Sequence, residues 1–323
     1  MPSTSHRSQS SSRLARRYRS LAVTLALSIM AFWSPPLARA GEPLFGYVYT
    51  TDLHPKGTWE FEQWATAALG KSQGDYKRFN LRDELEYGIT DNFQLSGYFN
   101  WYHLTAKQDG VDGTTSGKLV PENADPFRRY TATTFESVSM EAIFRVLSPY
   151  KDAFGLALYF EPTIGPDIRE LEGKIIVQKN FLDDRLVWAA NLTFAPGWER
   201  KTGNPALPPG DPDARSRWER DIEVEVTTGL SYRFARGWFG GVELRNHNEF
   251  AGHSLAHAEH SAFFLGPNVH YANGPFWVTL TVLPQIPLAA AYTADQRDVR
   301  VGGKIFGNEH EHVEVRLRAG WAF

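Results

Sequence analysis

Apolar and polar residues alternate one by one along most of this chain, and that period of two limits its fold more than any other feature. In the stretch KRFNLRDELEYGIT, residues 77–90, Phe79 and Leu81 fall on one face, whereas Arg78 and Arg82 fall on the other. An amphipathic helix needs apolar residues three and four positions apart, but successive side chains of a strand point to opposite faces. The pattern therefore predicts β-strands with one apolar and one polar face.

The alternation recurs in about twelve segments, most of which are about ten to fourteen residues long. That length suits a tilted strand that crosses a bilayer, and bacterial barrels have an even number of strands. After residue 40, no apolar stretch reaches the roughly 18–20 residues that a membrane-spanning helix needs. The predicted strands cover residues 58–68, 77–89, 93–104, 134–147, 154–165, 170–181, 185–195, 220–234, 238–250, 261–271, 275–285 and 311–323.

Loop lengths and aromatic residues favour a transmembrane barrel over a soluble β-sandwich, which would show the same alternation. The connections after even-numbered strands are short. Those after odd-numbered strands are longer, with one exception, the short link after the fifth strand. Outer-membrane barrels show the same parity, because they combine short periplasmic turns with longer outside loops. Aromatic residues flank the short turns, where they would form a girdle at the membrane interface. They are Tyr87, Phe93, Tyr150, Phe154, Phe181, Phe234, Trp238, Tyr271 and Phe276. We predict an all-β fold, a transmembrane antiparallel β-barrel of about 12 strands over residues 41–323.

The first 40 residues have the three-part layout of a secretory signal peptide: a basic region, the apolar run LAVTLALSIMAFW and the small-residue site Ala38-Arg39-Ala40. We predict cleavage after residue 40. The segment carries six of the 34 Lys and Arg residues and none of the 37 Asp and Glu residues, so the remainder has a net charge of about −9. Such an acidic chain is not expected to bind nucleic acid.

Two stretches carry a resemblance to a known family. The first is LHPKGTWEFEQW, Leu53–Trp64, and the second is the hairpin ELEYGITDNFQLSGYFNWY, Glu84–Tyr102. They resemble proteobacterial outer-membrane barrels, the transporters named after the meta-cleavage pathway of phenol degradation, together with their uncharacterised relatives. The resemblance implies an outer-membrane location in a Gram-negative bacterium and the passage of small solutes. It supplies no catalytic residues.

Charged residues occupy the polar face of the predicted strands, which would line the barrel lumen. A lumen with both signs of charge can conduct water and small polar solutes; alternatively, cross-strand ion pairs can hold the barrel closed. A twelve-stranded wall lies between filled barrels of about eight strands and open porins of about sixteen, so both interpretations stand. The candidate pore-lining residues are Arg78, Arg82, Glu84, Glu86, Glu141, Arg145, Glu223, Glu225, Glu243, Arg245, Glu314, Arg316 and Arg318.

Histidines cluster in RNHNEFAGHSLAHAEH and in GNEHEH, two segments that we place at the outer rim. Imidazole and carboxylate ligands together suit Zn, Ni or Cu, whereas the alternative is a polar loop with solvated histidines. The candidate metal ligands are His253, His257, His260, His310 and His312.

Hydrolysis is not expected, and no cofactor is predicted. His253 and His260 each precede a serine directly. Adjacent residues of a strand face opposite ways, so neither histidine can easily activate its neighbour's hydroxyl. We predict a passive channel for small solutes that is not an enzyme. The alternative is a closed structural or adhesive barrel whose outer loops bind a ligand or metal. Its expected partners are outer-membrane lipid, the outer-membrane assembly machinery and, for a channel, a small-molecule solute.

The last predicted strand ends in an aromatic residue, and Trp321 and Phe323 share its apolar face. A C-terminal aromatic residue on the closing strand resembles the signal by which the assembly machinery recognises its clients. Deletion of Phe323 is therefore expected to reduce the amount of barrel inserted in the outer membrane, measured in membrane fractions. Normal insertion without Phe323 would count against this role.

Overall fold

In the computed structural model, twelve antiparallel strands form one closed barrel. The structure describes residues 43–71, 74–107, 127–201, 208–211, 214–289, 300–301, 304–305 and 310–323. The predicted signal peptide, residues 1–40, lies outside these ranges. Within them, no helix is long and apolar enough to cross a bilayer.

The barrel strands follow one another around the wall in chain order, and the first pairs with the last, so the wall has no open edge. Closure is what a bilayer requires, because unpaired backbone groups in hydrocarbon are costly. The barrel strands are β1 (Trp59–Leu69), β2 (Asp75–Thr90), β3 (Phe93–Lys107), β4 (Tyr130–Leu147), β5 (Gly155–Ile164), β6 (Ile168–Phe181), β7 (Leu186–Lys201), β8 (Arg217–Ala235), β9 (Trp238–Ala251), β10 (Ala258–Asn273), β11 (Phe276–Ile286) and β14 (Val313–Ala322). A separate two-stranded hairpin, β12 (Arg300–Val301) and β13 (Lys304–Ile305), lies in the connection between β11 and β14.

The predicted antiparallel barrel of about twelve strands is confirmed, but several strands are longer than predicted at the end with the longer loops. For example, β4 begins at Tyr130 rather than at residue 134, and β7 continues to Lys201 rather than ending at residue 195. Polar residues such as Thr131, Thr133 and Arg200 stand on the outer face of these added stretches of strand, so an apolar outer face does not reveal them, although their backbone pairing continues. The hairpin of β12 and β13 was not predicted.

The wall is apolar outside and polar inside, the reverse of a water-soluble protein. Outward residues such as Phe99 and Met140 are about 60% exposed, whereas the inward Glu62 and Gln178 are fully buried. The predicted aromatic girdle is present at the short-turn end, where six of the nine predicted residues are exposed: Tyr150, Phe154, Phe181, Phe234, Trp238 and Phe276.

The seam that closes the barrel carries a buried ion pair. Arg318 of β14 donates two hydrogen bonds to the carboxylate of Glu62 on β1, at 2.5 and 3.0 Å, and both side chains are at most 4% exposed. The Arg318 guanidinium also lies 3.7 Å from the ring centroid of Trp64, so the cation has both a carboxylate and an aromatic face. The pair joins the first and last strands across the lumen side of the seam.

Removal of one partner of this pair is expected to destabilise the barrel strongly. An Arg318→Met variant leaves the Glu62 carboxylate buried without a cation, at a cost of about 3–5 kcal/mol in the free energy of unfolding. The double variant Glu62→Gln with Arg318→Met removes both charges and should lose less. Urea titration of each refolded variant in detergent, followed by Trp fluorescence, measures its free energy of unfolding. Equal stability of the single and double variants would contradict this role of the pair.

Candidate functional site

A segment ahead of β1 lies inside the barrel, in the half next to the short turns. We call residues 43–54 the luminal segment. Its side chains are mainly apolar or aromatic, and Phe45, Val48 and Leu53 are at most 2% exposed. The segment forms no helix or strand, so its backbone groups need partners other than a neighbouring strand.

The carboxylate of Glu243 on β9 supplies three of those partners. It accepts hydrogen bonds from the backbone N–H groups of Gly46, Tyr47 and Val48, at 2.9, 2.8 and 3.3 Å. Glu243 itself is fully buried. A carboxylate that receives several N–H donors is well compensated, and hydrogen bonds to a charged group are stronger than neutral ones. Glu243 is thus the main anchor of the segment's first half.

Two side-chain amides hold the second half. Asn191 on β7 accepts the N–H of Tyr49 at 2.7 Å and donates to the Tyr49 carbonyl at 2.9 Å, which imitates the exchange between paired strands. Gln178 on β6 accepts the N–H of Thr51 at 2.7 Å and donates to the Asp52 carboxylate at 3.1 Å. Burial raises the pKa of the Asp52 carboxyl above its usual value, and the hydrogen bond from Gln178 opposes that rise.

All twelve barrel strands approach the luminal segment. On β8 the contact depends on Gly229, since a Cβ atom there would lie 2.6 Å from Cε1 of Phe45. The segment is therefore built into the lumen rather than laid across one end of it. The nearest wall residues, in strand order, are Glu60, Glu86, Gln94, Glu141, Tyr159, Gln178, Asn191, Gly229, Glu243, Asn268, Thr279 and Arg316.

The predicted pore-lining charges lie on the inner face, and most of their cations contact carboxylates or rings. Arg245 donates to Glu225 at 2.6 Å and to Glu314 at 2.8 Å. Arg82 lies 4.4 Å from the ring centroid of Tyr98 and 4.9 Å from that of Trp64. These contacts are cross-strand networks of the kind that narrows a lumen. Whether the same residues line a conducting path stays a prediction.

Arg145 differs from the other predicted lining residues. It lies at the short-turn end, where its guanidinium donates to Asn92 and to the Asp91 carbonyl in the turn between β2 and β3. It also donates to the carbonyl of Thr51 at 3.3 Å. Arg145 therefore ties the luminal segment to a turn rather than facing the middle of the lumen.

Water reaches the inner face mainly from the end with the longer loops. There the side chains of Arg78, Arg82 and Glu223 are 30%, 26% and 39% exposed. At the level of the luminal segment, Glu243 and Gln178 are fully buried. Other inward side chains in this half, among them Tyr102 and Leu104, are buried. We call this partly water-accessible half the vestibule. It ends at the luminal segment.

Of the five predicted metal ligands, the structure brings together only His260 and His310, and it adds His247. Nε2 of His310 lies 2.7 Å from Nδ1 of His260, and Nε2 of His260 lies 2.8 Å from the Glu249 carboxylate. The His247 ring centroid is 4.9 Å from that of His310. Burial lowers the pKa of the His310 imidazole, with the neighbouring histidines adding to the effect. We call the three rings the histidine relay: a hydrogen bond joins His260 and His310, whereas His247 contacts His310 ring against ring.

The other predicted ligands lie apart from this relay. His253 contacts the Gly197 carbonyl at 2.7 Å, and its ring packs edge-on against Trp198. His257 lies in the β9–β10 loop, and the backbone of His312 bonds to Leu69 and Gly70. Metal binding at the rim stays a prediction.

A different group has the spacing of metal ligands. Carboxylate oxygens of Glu62, Glu84 and Glu86 lie within 4.8 Å of one another on the inner face. Oxygen ligands of this kind suit a hard cation such as Ca²⁺. However, Glu62 already accepts both hydrogen bonds from Arg318, so its charge is compensated within the chain.

The luminal segment was missed in the sequence because it has no alternation to mark it. Its signal is the run LFGYVY, Leu44–Tyr49, which is too apolar for a linker and too short for a barrel strand. Its partners Asn191 and Gln178 carry no charge, so they were also absent from the predicted lining. Glu243 was predicted as a lining residue, but its role as an anchor depends on a contact nearly 200 residues away in sequence.

The comparisons with known proteins agree with the barrel fold. A family model described as "Family of unknown function (DUF6662)" matches residues 37–323. No curated protein matches the sequence. The family model does not identify the chain with the meta-pathway transporters, whose resemblance rests on the two stretches Leu53–Trp64 and Glu84–Tyr102.

Among solved structures, the COG4313 outer membrane channel from Pseudomonas putida F1 has a TM-score of 0.51 and 11% sequence identity, over 90% of this chain and 100% of that one. At that identity the likeness shows the fold alone, that of an outer-membrane barrel. Similarity to the NanC porin is weaker (TM-score 0.46, 8% identity, 81% of this chain and 98% of that one). The KdgM porin is weaker again (TM-score 0.42, 11% identity, 82% and 99%).

The anchoring role of Glu243 can be measured with a cysteine reporter, because the chain has no cysteine of its own. We expect a Val48→Cys, at a fully buried position that Glu243 holds, to react slowly with a maleimide in the refolded barrel. Adding Glu243→Ala removes three charge-assisted hydrogen bonds, each worth about 1.5 kcal/mol or more, so labelling should accelerate roughly ten-fold or more.

Glu223→Ala provides the matched control, because Glu223 is also an inward glutamate but has its contact with His247 rather than with the luminal segment. Labelling in that background should match the parent rate. Equal rates in all three proteins would show that Glu243 does not hold the segment.

Proposed function

The chain belongs to DUF6662, a family of unknown function, and we propose that it is an outer-membrane channel for small solutes in a Gram-negative bacterium. The luminal segment acts as its constriction. The observation that carries this proposal is the vestibule, a charged and partly water-accessible inner face that ends at the segment.

The luminal segment suits a movable constriction because the wall does not depend on it. The strands are paired with one another all the way around, whereas the segment's bonds run to side chains such as Glu243, Asn191 and Gln178. Displacing the segment would break those side-chain bonds and leave the barrel ladder complete. A plug that never moves would not need bonds that are separate from those of the barrel wall.

The wall charges in the vestibule supply selectivity. Arg78 pairs with Glu136 at 2.6 Å, and Arg82 lies 3.9 Å from Glu161, so both signs of charge meet a solute along its path. Mixed charges of this kind favour small polar solutes over ions of one sign. The resemblance to the meta-pathway transporters supports the passage of small solutes and is part of this proposal.

Planar-bilayer recording tests the channel directly. We expect the unmodified barrel to show small conductance steps, because the luminal segment narrows the path. Glu243→Ala should open more often, and deletion of residues 43–54 should give larger and steadier steps, since it removes the constriction while keeping all twelve strands.

Glu223→Ala again serves as the control and should open no more often than the parent. Absence of conductance above background in the parent and in the deletion variant would overturn the channel. The result would then favour the alternative, a closed structural or adhesive barrel.

A further inference from the structure

A group of arginines and tryptophans projects from the outer face of the barrel, at the end with the longer loops. Cross-strand pairing places Arg169 opposite Trp198, Trp198 opposite Arg220, and Arg200 opposite Trp218, so all five share one face. We call these five residues the arginine patch. The three arginines are exposed, and the guanidinium of Arg169 lies 4.7 Å from the ring centroid of Trp218.

The acidic residues next to the patch arginines on β7 and β8 point the other way, whereas Asp167, whose backbone carbonyl accepts the N–H of Arg200, lies beside the patch in the β5–β6 turn. Glu199 and Glu219 each precede a patch arginine but belong to the inner face, where Glu199 pairs with Lys201 and Glu219 with Arg217. Positive charge on the lipid-facing side of a barrel is costly near the bilayer midplane and tolerated near the interface.

A crevice of 640 Å³ adjoins the patch on the same face. Its outward-facing lining is apolar, with Met140 on β4, Pro162 and Ile164 on β5, and Leu171 on β6. Arg169 and both patch tryptophans border it, and three polar residues of the inward parity also line it: Ser139, Thr163 and Glu170. The crevice lies where the ladder between β4 and β5 is interrupted. Pairing runs to Ser139 and Thr163 and resumes only at Ala142 and Phe160, because Pro162 has no N–H to donate.

We infer that the patch and the crevice together bind a phosphorylated lipid of the outer leaflet, with its phosphates on the three arginines and an acyl chain in the crevice. Guanidinium groups match phosphate oxygens in geometry and charge. Tryptophan rings sit at headgroup depth, and the apolar crevice continues from the patch along the wall. In a Gram-negative outer membrane this lipid is lipopolysaccharide, so the inference rests on the location given under the proposed function.

The apolar crevice beside the arginine patch favours a lipid over a free anion as the ligand. A small anion needs only the arginines, which are exposed and would hold it weakly in water. An amphiphile also fills the crevice, whose volume lies within the range of about 300–1,000 Å³ that is usual for small-molecule sites. The charged and apolar halves of the site are therefore expected to act together.

Native mass spectrometry of the detergent-purified barrel with diphosphoryl lipid A tests the inference. We expect retained lipid A on the parent and on Arg236→Gln, a matched charge change in the exposed turn between β8 and β9 at the opposite end. The triple variant Arg169→Gln, Arg200→Gln and Arg220→Gln should bind about 100-fold more weakly, at about five-fold per arginine. Lipid A without its phosphates should bind the parent as weakly as diphosphoryl lipid A binds the triple variant.

Equal retention by the parent and the triple variant, or equal retention of the two lipids, would overturn the site. Displacement by inorganic phosphate at low millimolar concentration would overturn the role of the crevice. If the triple variant does not fold, the single variants Arg169→Gln and Arg220→Gln replace it. Each should bind diphosphoryl lipid A about five-fold more weakly than the parent. Bilayer conductance of the triple variant should equal that of the parent, so failure of the lipid site and failure of the channel give different results.

Discussion

Backbone amides that lie away from water must find partners, and this requirement governs the structure in two places. In the wall it is met by pairing every strand with two neighbours, so that β1 closes on β14 and no edge faces the lipid. In the lumen it is met differently, because the luminal segment has no strand beside it. There the carboxylate of Glu243 and the amides of Asn191 and Gln178 accept its N–H groups.

These two solutions have different consequences for movement. A closed ladder is cooperative, since displacing one strand breaks a whole row of bonds on both sides. Bonds to side chains are separate from one another, and each can be lost while the wall stays intact. The segment is thus the part of the lumen that can move at least cost, and the partly water-accessible vestibule ends against it. The proposed channel follows from this contrast between a fixed wall and a side-chain-held segment.

The two ends of the barrel also differ on the outer face. At the short-turn end, exposed aromatic residues such as Phe234 and Trp238 form a girdle. At the other end, Arg169, Arg200 and Arg220 stand between tryptophans beside an apolar crevice. Such asymmetry suits a membrane whose two leaflets carry different lipids. The proposed channel and the proposed lipid site therefore use alternate residues of the same strands.

The sequence by itself determined the barrel. Alternation in segments such as residues 77–90, interrupted there by Asp83, predicted strands with one inward face. Together with the pattern of short turns, it indicated strand number, pairing direction and which side chains point inward. These properties are local, because each depends on residues close together in the chain. The lengths of β4 and β7 were underestimated, since their ends continue the ladder with polar residues such as Thr131 and Arg200 on the outer face.

Only the tertiary structure decided what fills the lumen. The contact between Gly46 and Glu243 joins residues nearly 200 positions apart, and no local pattern specifies it. The same holds for the relay of His247, His260 and His310, which replaced the predicted grouping of rim histidines. Closure of the wall brings distant inward residues to one level, and their partners are fixed by the geometry of the closed barrel rather than by neighbours in sequence.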